Sequence, residues 1–203
     1  MTTPAPYFAP LIVEGTVYDL GHLDPVRFQV PSEKLRRAVT IRCRFSNHVF
    51  TRTFDPEVDP ADTPIIMDGI RQRVFCPDRY RLSVYLPGAI VNLREPRIYV
   101  RETKARRNWL YVATIEVPAN ASDPIEGADR AADRERVRYQ VFFVLRKASK
   151  SGAAREDVEM VVESAYAADP SRPPDLLGRA LFVGLATATV EGRPVHTQPA
   201  RKR

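Results

Sequence analysis

Residue types that can do chemistry are few in this chain, and they gather in two places. His48 stands in Phe45-Ser-Asn-His-Val-Phe-Thr-Arg52, inside a segment, 34–54, that holds six basic side chains and no acid. An imidazole among cations is held neutral and can take a proton near pH 7. The second place is the end of the sequence's two strongest strand patterns. Arg146 and Lys147 close the run 138–147, and Ser164-Ala-Tyr166 closes the run 157–166. Strand alternation puts Ser164 and Tyr166 on one face. A histidine, cations, a hydroxyl and a phenol are the parts of metal-independent RNA cleavage. The base takes the ribose 2′-OH proton, the 2′-oxygen attacks phosphorus, cations stabilise the pentavalent oxyanion, and a phenol or hydroxyl protonates the leaving 5′-oxygen. His48, Arg146, Lys147, Ser164 and Tyr166 are therefore the candidate catalytic set, with no cofactor. Each also has an ordinary reading: His48 as a turn histidine capping a hairpin, Ser164 and Tyr166 as plain strand residues at a sheet edge.

Other chemistries find no support in the residue spacing. Two cysteines and three histidines form no C-x-x-C and no H-E-x-x-H, so no metal site is expected. Cys43 and Cys76 read as small buried hydrophobes. His22 reads as a turn histidine bonded to the backbone, and His196 lies near the chain end. No G-x-G-x-x-G and no G-x-x-x-x-G-K-[ST] is present.

Charge points to a polyanion. The net charge is +6, but the segments 34–54 and 94–107 carry far more than that between them, and the remainder is acidic. Such segregation is the one-dimensional form of a phosphate-binding face. Arg42, Arg44, Arg52, Arg101, Lys104, Arg106 and Arg107 are the candidate nucleic-acid contacts, RNA or another nucleic acid the expected partner. The competing reading gives these charges only a solubility role. No run reaches the ~18 apolar residues of a membrane span. The first residues lack a signal peptide's basic and apolar regions, so no membrane association and a cytoplasmic location are expected.

The elements that must position these residues follow from periodicity. Val39, Ile41, Cys43 and Phe45 alternate with Thr40, Arg42 and Arg44, which predicts a half-buried strand over 38–45. Residues 49–54 predict its hairpin partner. Residues 55–64, with three prolines and four acids, predict a loop. Tyr80, Val84, Pro87 and Val91 space as a helix stripe over 78–93, with Pro87 kinking or dividing it, while the alternation Tyr80, Leu82, Val84, Leu86 also permits a strand over 80–86. Strands are expected at 97–103, 108–117, 138–147 and 157–166, the last two antiparallel, and a helix over 175–189. The expected core includes Val39, Ile41, Phe45, Trp109, Tyr111, Val141, Phe143, Leu145, Val158, Met160 and Val162. Residues 118–136 hold almost no large apolar side chain and predict a mobile insertion. The whole reads as one α+β domain over 11–190: an antiparallel sheet with one or two helices on one face, between a disordered terminus at 1–10 and a disordered basic tail at 191–203.

Antiparallel strands ending in Arg146-Lys147 and then Ser164-x-Tyr166, over about residues 108–166, resemble the catalytic sheet of the barnase–EndoU–colicin–RelE group of endoribonucleases and toxins. That resemblance implies a toxin-like endoribonuclease with phosphate-binding and catalytic roles for those residues, His48 as base, and a neutralising protein partner. Phe45-Ser-x-His-x-Phe-Thr51 and Arg79-Tyr-Arg-Leu-Ser-x-x-Leu-Pro87 are similar to bacterial proteins labelled stationary-phase growth adaptation proteins. The alternative to an enzyme is a non-catalytic bacterial accessory protein that binds nucleic acid or another protein.

Overall fold

The computed structural model describes residues 5–104, 109–119, 136–149, 156–195 and 197–199. Its first hairpin follows from its turn. Glu14 and Gly15 both have positive φ, 49° and 78°, so a two-residue turn joins β1 (Leu11–Val13) to β2 (Thr16–Tyr18). That geometry matches the natural twist of the strands, and glycine adopts it without steric cost. Before it, residues 5–10 form no regular element, but Phe8 packs edge-on against Phe50 at 5.2 Å.

β3 (Val26–Ser32) and β4 (Arg37–Phe45) form an antiparallel pair with Val30 opposite Val39. The alternation in β4 holds: Val39, Ile41, Cys43 and Phe45 are buried, and Arg42 and Arg44 face the other way. The expected hairpin of 38–45 with 49–54 does not form. A 3-10 turn at Asn47–Val49 leads the chain out of the sheet, because Ser46 gives its N–H to Val162 O and its hydroxyl to Glu163 O. β5 (Thr51–Thr53) then joins β6 (Ile66–Asp68) and β7 (Arg71–Phe75) in a separate small sheet, with β7 in the middle.

The helix stripe at 78–93 is divided at its proline, as one of its two readings required. α1 (Pro77–Ser83) and α2 (Leu86–Asn92) each carry a proline in the first turn, where its missing N–H costs nothing. β8 (Tyr99–Lys104), β9 (Trp109–Pro118), β10 (Arg136–Lys147) and β11 (Val158–Ala167) follow. The expected helix at 175–189 is strand in its first half. β12 (Leu176–Leu181) gives way directly to α3 (Phe182–Glu191), and the leucines that suit a helix stripe suit a strand as well. In the tail beyond 191, expected to lack structure, β13 (Gln198–Pro199) pairs with Gly178 and Arg179 of β12.

Among the described residues the main sheet has eight strands in the order β13-β12-β8-β9-β10-β11-β4-β3. β11 and β4 run parallel, with Met160 beside Cys43; the other neighbours are antiparallel. Asp157 locks the start of that parallel pair, taking two bonds of 2.7 Å from the Arg37 guanidinium and the N–H of Thr40 at 2.8 Å. One sheet face carries Tyr139, Val141, Phe143, Met160 and Val162 into the core. α3 covers it, and Phe182 packs against Phe28 and Phe143 with ring centroids at 6.3 and 5.9 Å. The fold is α+β. Of the expected core, Tyr111 and Leu145 are half-buried, and the Trp109 side chain lies outside the described residues. So do residues 120–135 of the expected insertion, and Arg106 and Arg107. No described helix is long and apolar enough to cross a membrane.

Candidate functional site

The turn that leaves β4 builds the surroundings of His48. Ser46 caps it, accepting the His48 N–H at 3.2 Å, and the ring is swung toward the small sheet. There His48 Nε2 meets Asp68 Oδ2 at 2.7 Å. Asp68 ends β6, at a turn where Gly69 has φ +58°. A carboxylate, not the expected ring of cations, is thus the bonded partner of this imidazole. A carboxylate on one ring nitrogen orients the ring and selects its tautomer, leaving the other nitrogen for exchange.

Two arginines hold the same loop from below. Arg79, on α1, donates from Nη1 to His48 O at 2.9 Å and to Thr51 O at 3.0 Å. Arg73, on β7 and only 5% exposed, donates from Nε to Thr51 Oγ1 at 2.7 Å and from Nη2 to Thr51 O at 2.9 Å. Thr51 passes its own hydroxyl proton to Asn47 O at 2.7 Å. Among the described residues neither guanidinium bonds a carboxylate. Burial, then Arg79's like charge, pulls Arg73 below the usual arginine range; burial does the same to Arg79. The Arg79 guanidinium also lies over the Tyr166 ring, 5.2 Å from its centroid. Burial pushes the Tyr166 and Tyr139 phenols up, with Arg79 opposing both, and the buried Tyr139 hydroxyl has no hydrogen-bond partner among the described residues. Arg79 therefore links His48, Thr51 and Tyr166. Asp68, Arg73 and Arg79 were not singled out as site residues by their spacing; only the Arg79–Pro87 segment drew notice, through resemblance.

The structure does not bring the five expected catalytic residues together. In the antiparallel β10–β11 pair, Arg146 and Lys147 lie opposite Glu159 and Val158, whereas Ser164 and Tyr166 lie opposite Phe142 and Gln140. The end of one antiparallel strand faces the beginning of the next. At ~3.3 Å per residue the offset from Arg146 to Tyr166 is about 20 Å, too far for one phosphate. Tyr166 instead stacks on Phe142 at 5.1 Å, beside the half-buried Ser164.

The expected nucleic-acid contacts separate into two kinds. Arg52 is committed to Asp59, which it grips with both terminal nitrogens. Arg42 and Arg44 lie on the sheet face away from α3, Arg44 within 3.6 Å of Glu159. Register aligns Arg27, Arg42, Glu159 and Arg146 in one row across β3, β4, β11 and β10. Arg27 is held by Glu156. Arg101 lies opposite Arg179 on β12, and Lys104 is exposed at the end of β8. Among the described residues no three histidine, cysteine or acidic side chains cluster as a metal site would require.

A family model matches residues 10–189, a span that includes His48, Asp68, Arg73, Arg79 and every strand of the main sheet except β13. The chain belongs to the YjaZ family. No curated protein and no solved structure matches it. The match agrees with the resemblance to bacterial proteins; it adds nothing to the stationary-phase label or the toxin resemblance.

A second histidine in this YjaZ-family chain is structural and titratable. His22 Nε2 shares a 2.7 Å hydrogen bond with Ser83 Oγ, whose hydroxyl also reaches Tyr80 O at 2.7 Å, tying the 3-10 turn Gly21–Leu23 to α1. Burial lowers the His22 pKa below its ordinary 6.5, opposed by Asp19. The unfolded chain then binds the proton first. His22 contributes stability that is fully present above about pH 6.5 and is lost as pH falls through its lower folded value. Urea titrations at stepped pH are expected to show stability falling by no more than about 1.4 kcal/mol per unit for this one proton. His22→Gln should flatten that segment of the profile; an unchanged profile would remove His22 as its source.

Proposed function

We propose that this YjaZ-family protein is a cytoplasmic, non-catalytic accessory protein that binds nucleic acid across the face of β3, β4, β11 and β10. The observation that carries this reading is the transverse row Arg27, Arg42, Glu159, Arg146, with Arg44 beside it. Four strands at ~4.8 Å spacing make a row roughly 14 Å long, enough to meet successive phosphates of one strand. Arg42 and Arg146 are exposed, so their charge is available to a polyanion.

A second reading, RNA cleavage, is favoured by the chain of contacts from Asp68 through His48 to Arg79 and Tyr166. In it His48, oriented by Asp68, takes the 2′-OH proton. The 2′-oxygen bonds to phosphorus, the bond to the 5′-oxygen breaks, and that oxygen is protonated by the Tyr166 hydroxyl or by water. Arg146 and Lys147 then serve only in binding.

One experiment separates the two. RNA affinity measured from low to physiological salt is expected to fall steeply through counterion release, and Arg42→Glu with Arg44→Glu is expected to flatten that slope. Binding that ignores salt, or is absent at low salt, sinks the nucleic-acid reading. The same RNA, incubated in EDTA, should stay intact. Cleavage that drops about 10²–10⁴-fold in His48→Ala would replace the binding reading with the catalytic one.

A further inference from the structure

The C-terminal turn of α3 creates a feature that no part of the nucleic-acid reading uses. Gly192 has φ +67°, and the Gly192 and Arg193 N–H groups bond back to Thr189 O and Ala188 O. This left-handed stop reverses the chain. Residues 193–195 then run back beside α3 toward β12, where Gln198–Pro199 pairs with Gly178 and Arg179. Between β12, α3 and this returning segment lies a cleft of about 260 Å³.

Its lining is amphipathic in a specific way. The floor is Gly184 and Ala188, one turn apart on α3, and Val195 and Leu181 extend it. A Cβ at Gly184 would meet nothing within 4 Å, so this glycine is not demanded by packing and its missing side chain leaves the floor open. A glycine inside a helix costs roughly 0.5–1 kcal/mol relative to alanine. Tyr99, half exposed, forms one side, and the Arg179 guanidinium lies over its ring at 4.8 Å. The two cations at the mouth differ. Arg193 is bound to Glu191, which also holds Lys34 at 2.8 Å. Among the described residues no carboxylate pairs with Arg179. It stands opposite Arg101, whose buried Nε has no hydrogen-bond partner among the described residues. Like charges placed opposite each other on neighbouring strands repel. An anion at Arg179 relieves that repulsion, and the planar guanidinium suits a carboxylate.

We propose that this cleft binds a small monocarboxylate with a short apolar body, its carboxylate on Arg179 and its apolar part over Gly184 and Ala188. Most of such a ligand's surface is apolar, with one charged end, which is the usual division of a small-molecule site.

The test is calorimetric titration of the full chain with octanoate and 3-phenylpropanoate, and with acetate and octanol as the two halves of the chemistry. At least one of the two amphipathic acids is expected to saturate a single site, with acetate and octanol at least tenfold weaker. Arg179→Gln changes an exposed residue and should weaken the acid tenfold or more while leaving octanol unchanged. Gly184→Met should fill the floor and abolish binding with an undiminished melting temperature. If Gly184→Met fails to fold, Arg179→Gln alone decides. The proposal is overturned if neither acid saturates, if octanol or acetate binds as well, or if binding survives either substitution in a folded protein.

Discussion

Replacing Phe182 with alanine is expected to destabilise the protein by about 3–5 kcal/mol, the range for a fully buried phenylalanine. Phe182 is 0% exposed and is the first residue of α3, directly after β12 ends. Its ring lies between Phe28 of β3 and Phe143 of β10, so it ties the helix to strands on both sides of β4 and β11. Those two rings are carried by hydrogen-bonded strands and cannot close over the void. The backbone anchor, Phe182 N–H to Ile98 O at 3.0 Å, survives the substitution, so the loss reports side-chain packing alone. Urea unfolding followed by circular dichroism measures it. Phe182→Leu, which keeps most of the volume, is expected to cost less than about 1.5 kcal/mol. A loss that small for alanine would mean that α3 settles into the gap.

The two arginines under the His48 loop are expected to differ, although they share a partner. Arg79→Met is expected to cost about 2–3 kcal/mol. It strips His48 O of its donor and removes the cation above the Tyr166 ring. Arg73→Met is expected to cost less than about 1 kcal/mol. Thr51 O keeps its bond from Arg79, the Thr51 hydroxyl keeps Asn47 O, and a buried charge that repels Arg79 is gone. Urea midpoints of the two variants decide the ranking. Equal losses would show that the two arginines hold the loop alike, and a reversed ranking that Arg73 holds it.

What was legible in the sequence was mostly the identity of faces. Alternation at 38–45 placed Val39, Ile41 and Phe45 inside, because a period of two is set by the pleat of one strand and needs no partner. Pairing is a different matter. β4 was matched to the segment that follows it, 49–54, yet its neighbours are β3, which precedes it, and the distant β11. Nothing local distinguishes a strand that turns back from one that leaves the sheet. The catalytic set failed for a related reason. Arg146 and Tyr166 both close their strands, but in an antiparallel pair two such ends are at opposite poles. Asp68 was illegible as the partner of His48 because it lies 20 positions on, across a proline-rich loop. The leucines at 176, 177 and 181 satisfied helix and strand spacing alike, and only the pairing of β12 with β8 selects strand.

The parallel contact of β4 with β11 has a consequence for how the chain is made. Ser46 and Glu163, bonded to each other beside that contact, are 117 residues apart. During synthesis the N-terminal half leaves the ribosome long before its partner exists. The β3–β4 hairpin must then wait with Ile41, Cys43 and Phe45 uncovered until β11 and α3 have emerged. Non-local parallel pairing of this kind forms late and slowly, and an uncovered strand edge invites association with other chains. Newly made protein is therefore at its most vulnerable as a half-finished chain, and its yield depends on the hairpin staying shielded until the last third is translated.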